Sequence, residues 1–177
     1  MSIKQFKRGH TVVYGTNGLC TIEEIRPMQL VAGMKEEDYC VLSLKRDPDT
    51  KIFIPMKNKK LLGKLREVMT KEQIDQLLLD VKEKKTWRWN NDRRDRTENF
   101  HGILMDGVSE DLICMVECIY VKKRDLVKQG RKLSVTDANT LKSAEALVEE
   151  EFAYALGISI EEVSDYIWNM LGELDES

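Results

Sequence analysis

Two tryptophans set among cations are the residues of this chain whose types and spacing could do recognisable chemistry. Trp87 and Trp89 flank Arg88, and Arg93, Arg94 and Arg96 follow closely. A core tryptophan normally keeps apolar neighbours at helical or strand spacing, and this stretch supplies few. Two indoles on either side of one arginine are expected not to share a core, which leaves at least one of them exposed or half-exposed. An exposed indole beside arginines suits nucleic acid, because the ring can stack on bases or wedge between them while guanidiniums hold phosphates. It suits a protein interface equally well.

Other chemistry is poorly supplied. The sequence has no P-loop, dinucleotide glycine fingerprint, G-x-S-x-G elbow or H-E-x-x-H. Its two histidines, His10 and His101, are too few for an ordinary His-based metal site or triad. Cys114 and Cys118 are spaced C-x3-C inside an apolar run, and with Cys20 and Cys40 they read as buried, reduced thiols rather than zinc knuckles. The carboxylate runs Glu36-Glu37, Glu149-Glu150-Glu151 and Glu161-Glu162 read as solvated faces or helix N-terminal charges. No enzyme, cofactor or metal is expected.

The net charge of −3 over 177 residues conceals a segregation. Residues 82–96 carry seven basic side chains against three acids, for +4, and residues 121–133 carry six against one, for +5. Residues 134–177 carry eleven acids against Lys142 alone, for −10. A polyanion is therefore expected to engage the middle of the chain and not its C-terminal part. No apolar run approaches the ~20 residues of a membrane span, and the first residues show no apolar leader core. A cytoplasmic monomer is expected.

The elements that must position these groups fall into two sets. Thr11–Tyr14, Leu19–Ile22, Tyr39–Leu44 and Lys51–Ile54 are short β-rich runs, with turn signals at Gly15-Thr16-Asn17-Gly18 and Asp47-Pro48-Asp49. They predict a small, strongly bent antiparallel sheet or barrel over residues 1–60. From Leu61 the pattern is helical, and 61–177 is expected to form an all-helical domain of about five helices, making the chain α+β. A capping box at Thr70–Gln73 opens the first helix and the second runs through Asn90–Met105 to a stop at Gly107. The third starts at Ser109, the fourth at Ser134 or Thr136, and the fifth at the capping box Ser159–Glu162. Trp168, with Ile160, Val163, Ile167 and Leu171 at i, i+3, i+4 spacings, is expected in the core.

The order of these features resembles the CarD-like (CarD/CdnL) bacterial transcription regulators. Phe6, Gly9, Val12, Val13, Tyr14, Gly18, Ile22 and Ile25 look like that family's opening F-x-x-G-D-x-V-V-Y-x-x-x-G-x-x-x-I-x-x-I, with His10 where aspartate is usual. Ile52-Phe53-Ile54-Pro55 is similar to the strand that closes the same domain. Trp89 lies eighteen residues before Gly107 with Arg93, Arg94, Arg96, Phe100, Ile103 and Leu104 between, resembling the family's tryptophan, basic helix and glycine turn. The resemblance implies a Tudor-like module docking on the β subunit of RNA polymerase, and a helical domain at promoter DNA. It implies that Trp89, with Trp87 as the fallback, wedges into the minor groove at the upstream bubble edge and slows bubble collapse. Arg88, Arg93, Arg94 and Arg96 would then hold phosphates without reading sequence. Arg26, Lys51 and Phe53 are the candidates for polymerase docking. Lys122, Lys123 and Arg124 have no motif counterpart and fit an auxiliary DNA contact or a solvated helix end equally. The alternative from another class is a protein-interaction adaptor whose tryptophans pack internally and never meet DNA.

Overall fold

A computed structural model describes residues 7–29, 33, 35–84 and 87–172. Phe6 of the opening motif, Lys85 of the first basic block, residues 30–32 and 34, and the acidic residues from 173 onward lie outside the described residues. The architecture is α+β, and the chain divides into two compact units at Val68/Met69.

The first unit holds strands β1 (Thr11–Tyr14), β2 (Leu19–Met28), β3 (Glu37–Leu44) and β4 (Lys51–Pro55), the short helix α1 (Lys59–Leu62) and strand β5 (Leu65–Glu67). They form one antiparallel sheet in the order β4-β3-β2-β1-β5. Alternation selects its core: Val12, Cys20, Ile22, Cys40, Leu42 and Ile54 are buried together on one face. The turn between β1 and β2 places Gly15 and Gly18 at φ of 47° and 70°, where a side chain would be strained.

The unit extends past the expected boundary at residue 60. The Asn58 side chain accepts the Leu61 N–H at 3.1 Å, capping α1, whose Leu61 and Leu62 pack on the sheet core. The chain then returns as β5, with Leu65 opposite Tyr14. A three-residue strand after a four-residue helix is too short to show a period, so the sequence reads as helical there.

The second unit is built from α2 (Lys71–Glu83), α3 (Arg93–Asp106), α4 (Ser109–Lys128), α5 (Val135–Leu156) and α6 (Ile160–Leu171). The expected capping boxes at Thr70/Gln73 and Ser159/Glu162 are both formed. Ser134 caps α5, and Gly107 and Gly157 end α3 and α5 in the left-handed conformation. Ile74, Leu78, Met115, Ile119, Phe152 and Val163 are fully buried in one core. Cys114 and Cys118 are buried free thiols, and burial, followed by the nearby Glu117 and Glu110 charges, pushes Cys114 up to about 11. Such a thiol stays protonated and unreactive near neutral pH.

Two expectations for the packing of α5 and α6 fail. Trp168 is half-exposed against Tyr120 rather than in the core, and Ile160 is 52% exposed, because α6 presents mainly Val163 inward. Glu151 is buried rather than solvated. Its carboxylate accepts the Met69 N–H at 3.2 Å and the Ser109 hydroxyl at 3.2 Å, tying the approach to α2 and the first turn of α4 to α5.

Replacing Glu151 with Ala leaves those buried donors without this acceptor. Chemical denaturation should report a loss of roughly 1–3 kcal/mol in the helical unit, whereas a loss within a few tenths would mean the carboxylate carries no structural load.

Candidate functional site

The segment that enters α3 is irregular from Trp87 to Asp92 and is held by its own polar groups. Asn90 Oδ1 accepts the Asp92 N–H at 2.9 Å, and Asp92 caps α3 by accepting the Asp95 N–H at 2.9 Å. Both Trp87 and Trp89 are half-buried and pack against the same helical core, contrary to the expectation that they could not share one. On an α-helix, residues two apart point about 200° away from each other, but this segment is not helical, so that restriction does not apply. Trp89 meets Phe100 edge-on, with ring centres 6.2 Å apart and planes at 68°.

Arg96 is the correction with the largest consequence. Expected among the phosphate-holding arginines, it is buried at 6% exposure and pairs with Asp137, itself 4% exposed. Its Nε donates to Oδ1 at 3.0 Å and its Nη2 to Oδ2 at 3.1 Å, a two-pronged contact, while Nη1 donates to the Asn90 carbonyl at 2.7 Å. The guanidinium also lies over the Trp89 ring, Cζ 4.3 Å from its centre. An arginine so engaged and so deeply buried positions the indole and does not present its charge to a phosphate in solvent. Arg88, Arg93 and Arg94 are exposed, with Arg93 donating to Thr136 Oγ1 at 3.3 Å. Arg93, Arg94, Thr97, Glu98, His101 and Thr136 line an open recess between α3 and the first turn of α5.

Lys122 joins this group from α4. Its Nζ lies 5.7 Å from the Trp89 ring centre, so part of the second basic block stands beside the first. Lys123 instead lies over Tyr120, Nζ 5.2 Å from that ring. No local motif marked Lys122, since it is brought to Trp89 only by the packing of α4. Asp137 was hidden for a different reason: three residues after Ser134 it reads as an ordinary helix-start acid.

In the first unit, the strand register sets Arg26, Lys51 and Phe53 on one face. Glu24 opposes Val41, which opposes Phe53; Arg26 opposes Tyr39, which opposes Pro55; and Thr21, Ser43 and Lys51 align likewise. The register shift between Ile22 and Glu24 gives this face both Glu23 and Glu24. Lys51 Nζ lies 3.2 Å from Glu23, and Arg26 Nε 2.8 Å from Glu24. The Ser43 hydroxyl donates to Glu23 at 2.6 Å and, with Lys51, holds that carboxyl below its usual range. Phe53, 39% exposed, stands above buried Val41. The face is thus an aromatic side chain bordered by exposed ion pairs, which water screens and which are readily exchanged for a partner's charges.

Burial pushes the Asp137 carboxyl up, but the hydrogen bonds from Arg96 and Ser134 and the Arg96 charge outweigh it and leave it below its usual value. A carboxyl depressed on folding stabilises the fold above its unfolded value of about 4 and loses that contribution as pH falls through the folded value. Thermal melting should show the helical unit weakening with acid below about pH 4, with Asp137→Asn less stable at neutral pH and flatter in acid. Parallel profiles for parent and variant would remove Asp137 from the acid response.

Residues 6–69 match the family model of the CarD-like/TRCF RID domain, whereas no curated protein matches the chain. The match covers the sheet, its β5 return and the face carrying Arg26, Lys51 and Phe53, and it bears out the resemblance seen in the opening motif. By this match the first unit of this protein is similar to the CarD-like/TRCF RID domain over nearly its whole length.

Proposed function

We propose that this protein is a non-enzymatic, RNA polymerase-binding transcription regulator of the CarD-like type that stabilises the open promoter complex. The RID match over residues 6–69 carries the polymerase half of the reading. Phe53 on the exposed sheet face is its candidate anchor for the β subunit, with Arg26 and Lys51 exchanging their glutamate partners for polymerase charges. The DNA half rests on Trp89, half-exposed and braced by Phe100, Arg96 and Lys122. Trp87 remains the second candidate for the wedge.

The bracing matters energetically. Inserting an indole costs a few kcal/mol of base unstacking, least where the duplex is already opening, so the ring favours the open state through differential affinity. Holding the ring in advance reduces the ordering cost on binding. Exposed Arg88, Arg93 and Arg94 supply phosphate contacts that position the protein without reading sequence. Packing of both indoles on the helical core also favours the adaptor reading, in which they serve only the fold.

Trp89→Ala separates the two readings. It should shorten open-complex lifetime by roughly 5- to 100-fold, the equivalent of ~1–3 kcal/mol of stacking, with polymerase affinity unchanged. Because Trp89 also packs internally, its melting temperature must be measured alongside. Arg94→Ala, at an exposed position, should lower the salt slope of DNA binding by about 1. A folded Trp89→Ala variant with the parent's open-complex lifetime would favour the adaptor.

Phe53→Ala should weaken polymerase binding about tenfold or more, in the range of an interface anchor, while leaving the first unit's melting little changed. Undiminished binding would move the docking surface off this face.

A further inference from the structure

The helical unit has a second aromatic site, away from the Trp89 cluster, on an apolar groove bounded by α4, α5 and α6. Val116, Val148 and Ile167 contribute apolar surface, and Tyr120 and Trp168 form an aromatic wall with ring centres 5.3 Å apart and planes at 89°. Glu117, Glu145 and Glu149 also line it. Glu145 accepts the Tyr120 hydroxyl at 2.5 Å. Glu149 is only half-exposed, and burial, then the Glu145 and Glu161 charges, raises its carboxyl above the usual range.

This arrangement is electrostatically incomplete. Among the described residues, neither Glu145 nor Glu149 forms an ion pair, and Lys123, over the Tyr120 ring, pairs with neither. Like charges beside apolar surface are unfavourable until a cation joins them. The enclosed space is about 40 Å³, room for a side-chain tip and far below the ~300 Å³ or more of a small-molecule site. The carboxylates repel phosphates, so nucleic acid is the wrong partner for this face.

We propose that this groove docks a basic amphipathic segment of a partner protein, seating one lysine or arginine with its aliphatic stem along Trp168 and Tyr120 and its charged end at Glu145 and Glu149. Long cationic side chains bury their stems on apolar surface while their heads find charge, and an indole face adds cation–π attraction. The inference stands apart from the DNA-wedge reading, because it uses neither Trp89 nor the exposed arginines.

The test uses the full, isotope-labelled chain, with the Trp168 indole N–H signal assigned through Trp168→Phe. The probe is a synthetic helical peptide of leucine and lysine, about 15 residues long, with a leucine–glutamate peptide as control. The lysine peptide should move the Trp168 signal saturably, the glutamate peptide should not, and Glu145→Gln with Glu149→Gln should weaken binding about three- to tenfold, the range of one or two exposed ion pairs. Arg94→Ala should leave this affinity unchanged. The proposal is overturned if the Trp168 signal does not move, if both peptides move it alike, or if the glutamine variants bind as the parent does. A Trp168 shift that follows protein concentration without peptide would give the groove to a second copy and equally overturn it.

Discussion

The buried pairing of Arg96 with Asp137 is the constraint on which the Trp89 cluster of the helical unit depends. One guanidinium binds a carboxylate at the start of α5, a carbonyl in the segment before α3 and the face of Trp89. Ser134 completes the arrangement by donating to Asp137 at 2.6 Å while its hydroxyl accepts the Asp137 N–H at 3.1 Å. Buried charges are costly to desolvate, and removing one member of such a pair costs about 3–5 kcal/mol because the other is left uncompensated. The interaction therefore does more to fix one arrangement than to add net stability. What it fixes is the indole.

That pairing also sorts the cations of the central segment into two kinds. Arg88, Arg93 and Arg94 face solvent, while Arg96 faces inward, although all four look alike in a charge count. The inward position follows from helical period: Arg96 lies four residues before Phe100, on the same face of α3, and both are buried. The field available to a polyanion is thus smaller than residues 82–96 suggest, and Lys122, arriving from α4, restores part of it.

Much of this was legible in the sequence where local chemistry decides the outcome. Thr70, Ser134 and Ser159 announce helix starts through side chains that bond within three residues, and Gly107 and Gly157 announce helix ends. β1 to β4 followed from alternation and turn residues. What stayed hidden depends on distant partners. β5 exists because β1 offers it an edge, and Glu151 is buried because Met69 and Ser109 bring donors to it. Trp168 has the spacing of a core residue, but helical period gives a face and not its depth. Trp87 and Trp89 share a core because the segment carrying them is irregular, so its backbone can turn both rings the same way, which no periodic spacing in the sequence reveals.

The geometry of α4 explains how one small helical unit presents surfaces of opposite sign. Tyr120 turns toward Trp168 and the glutamates of α5, whereas Lys122 turns toward Trp89 and the arginine-rich start of α3. Two residues apart on a helix is about 200° of rotation, so neighbouring positions in sequence serve opposite faces. The register of α4 alone therefore puts a basic cluster and an acidic groove on opposite sides of one helix. The near-neutral sum of −3 for the chain describes neither of them.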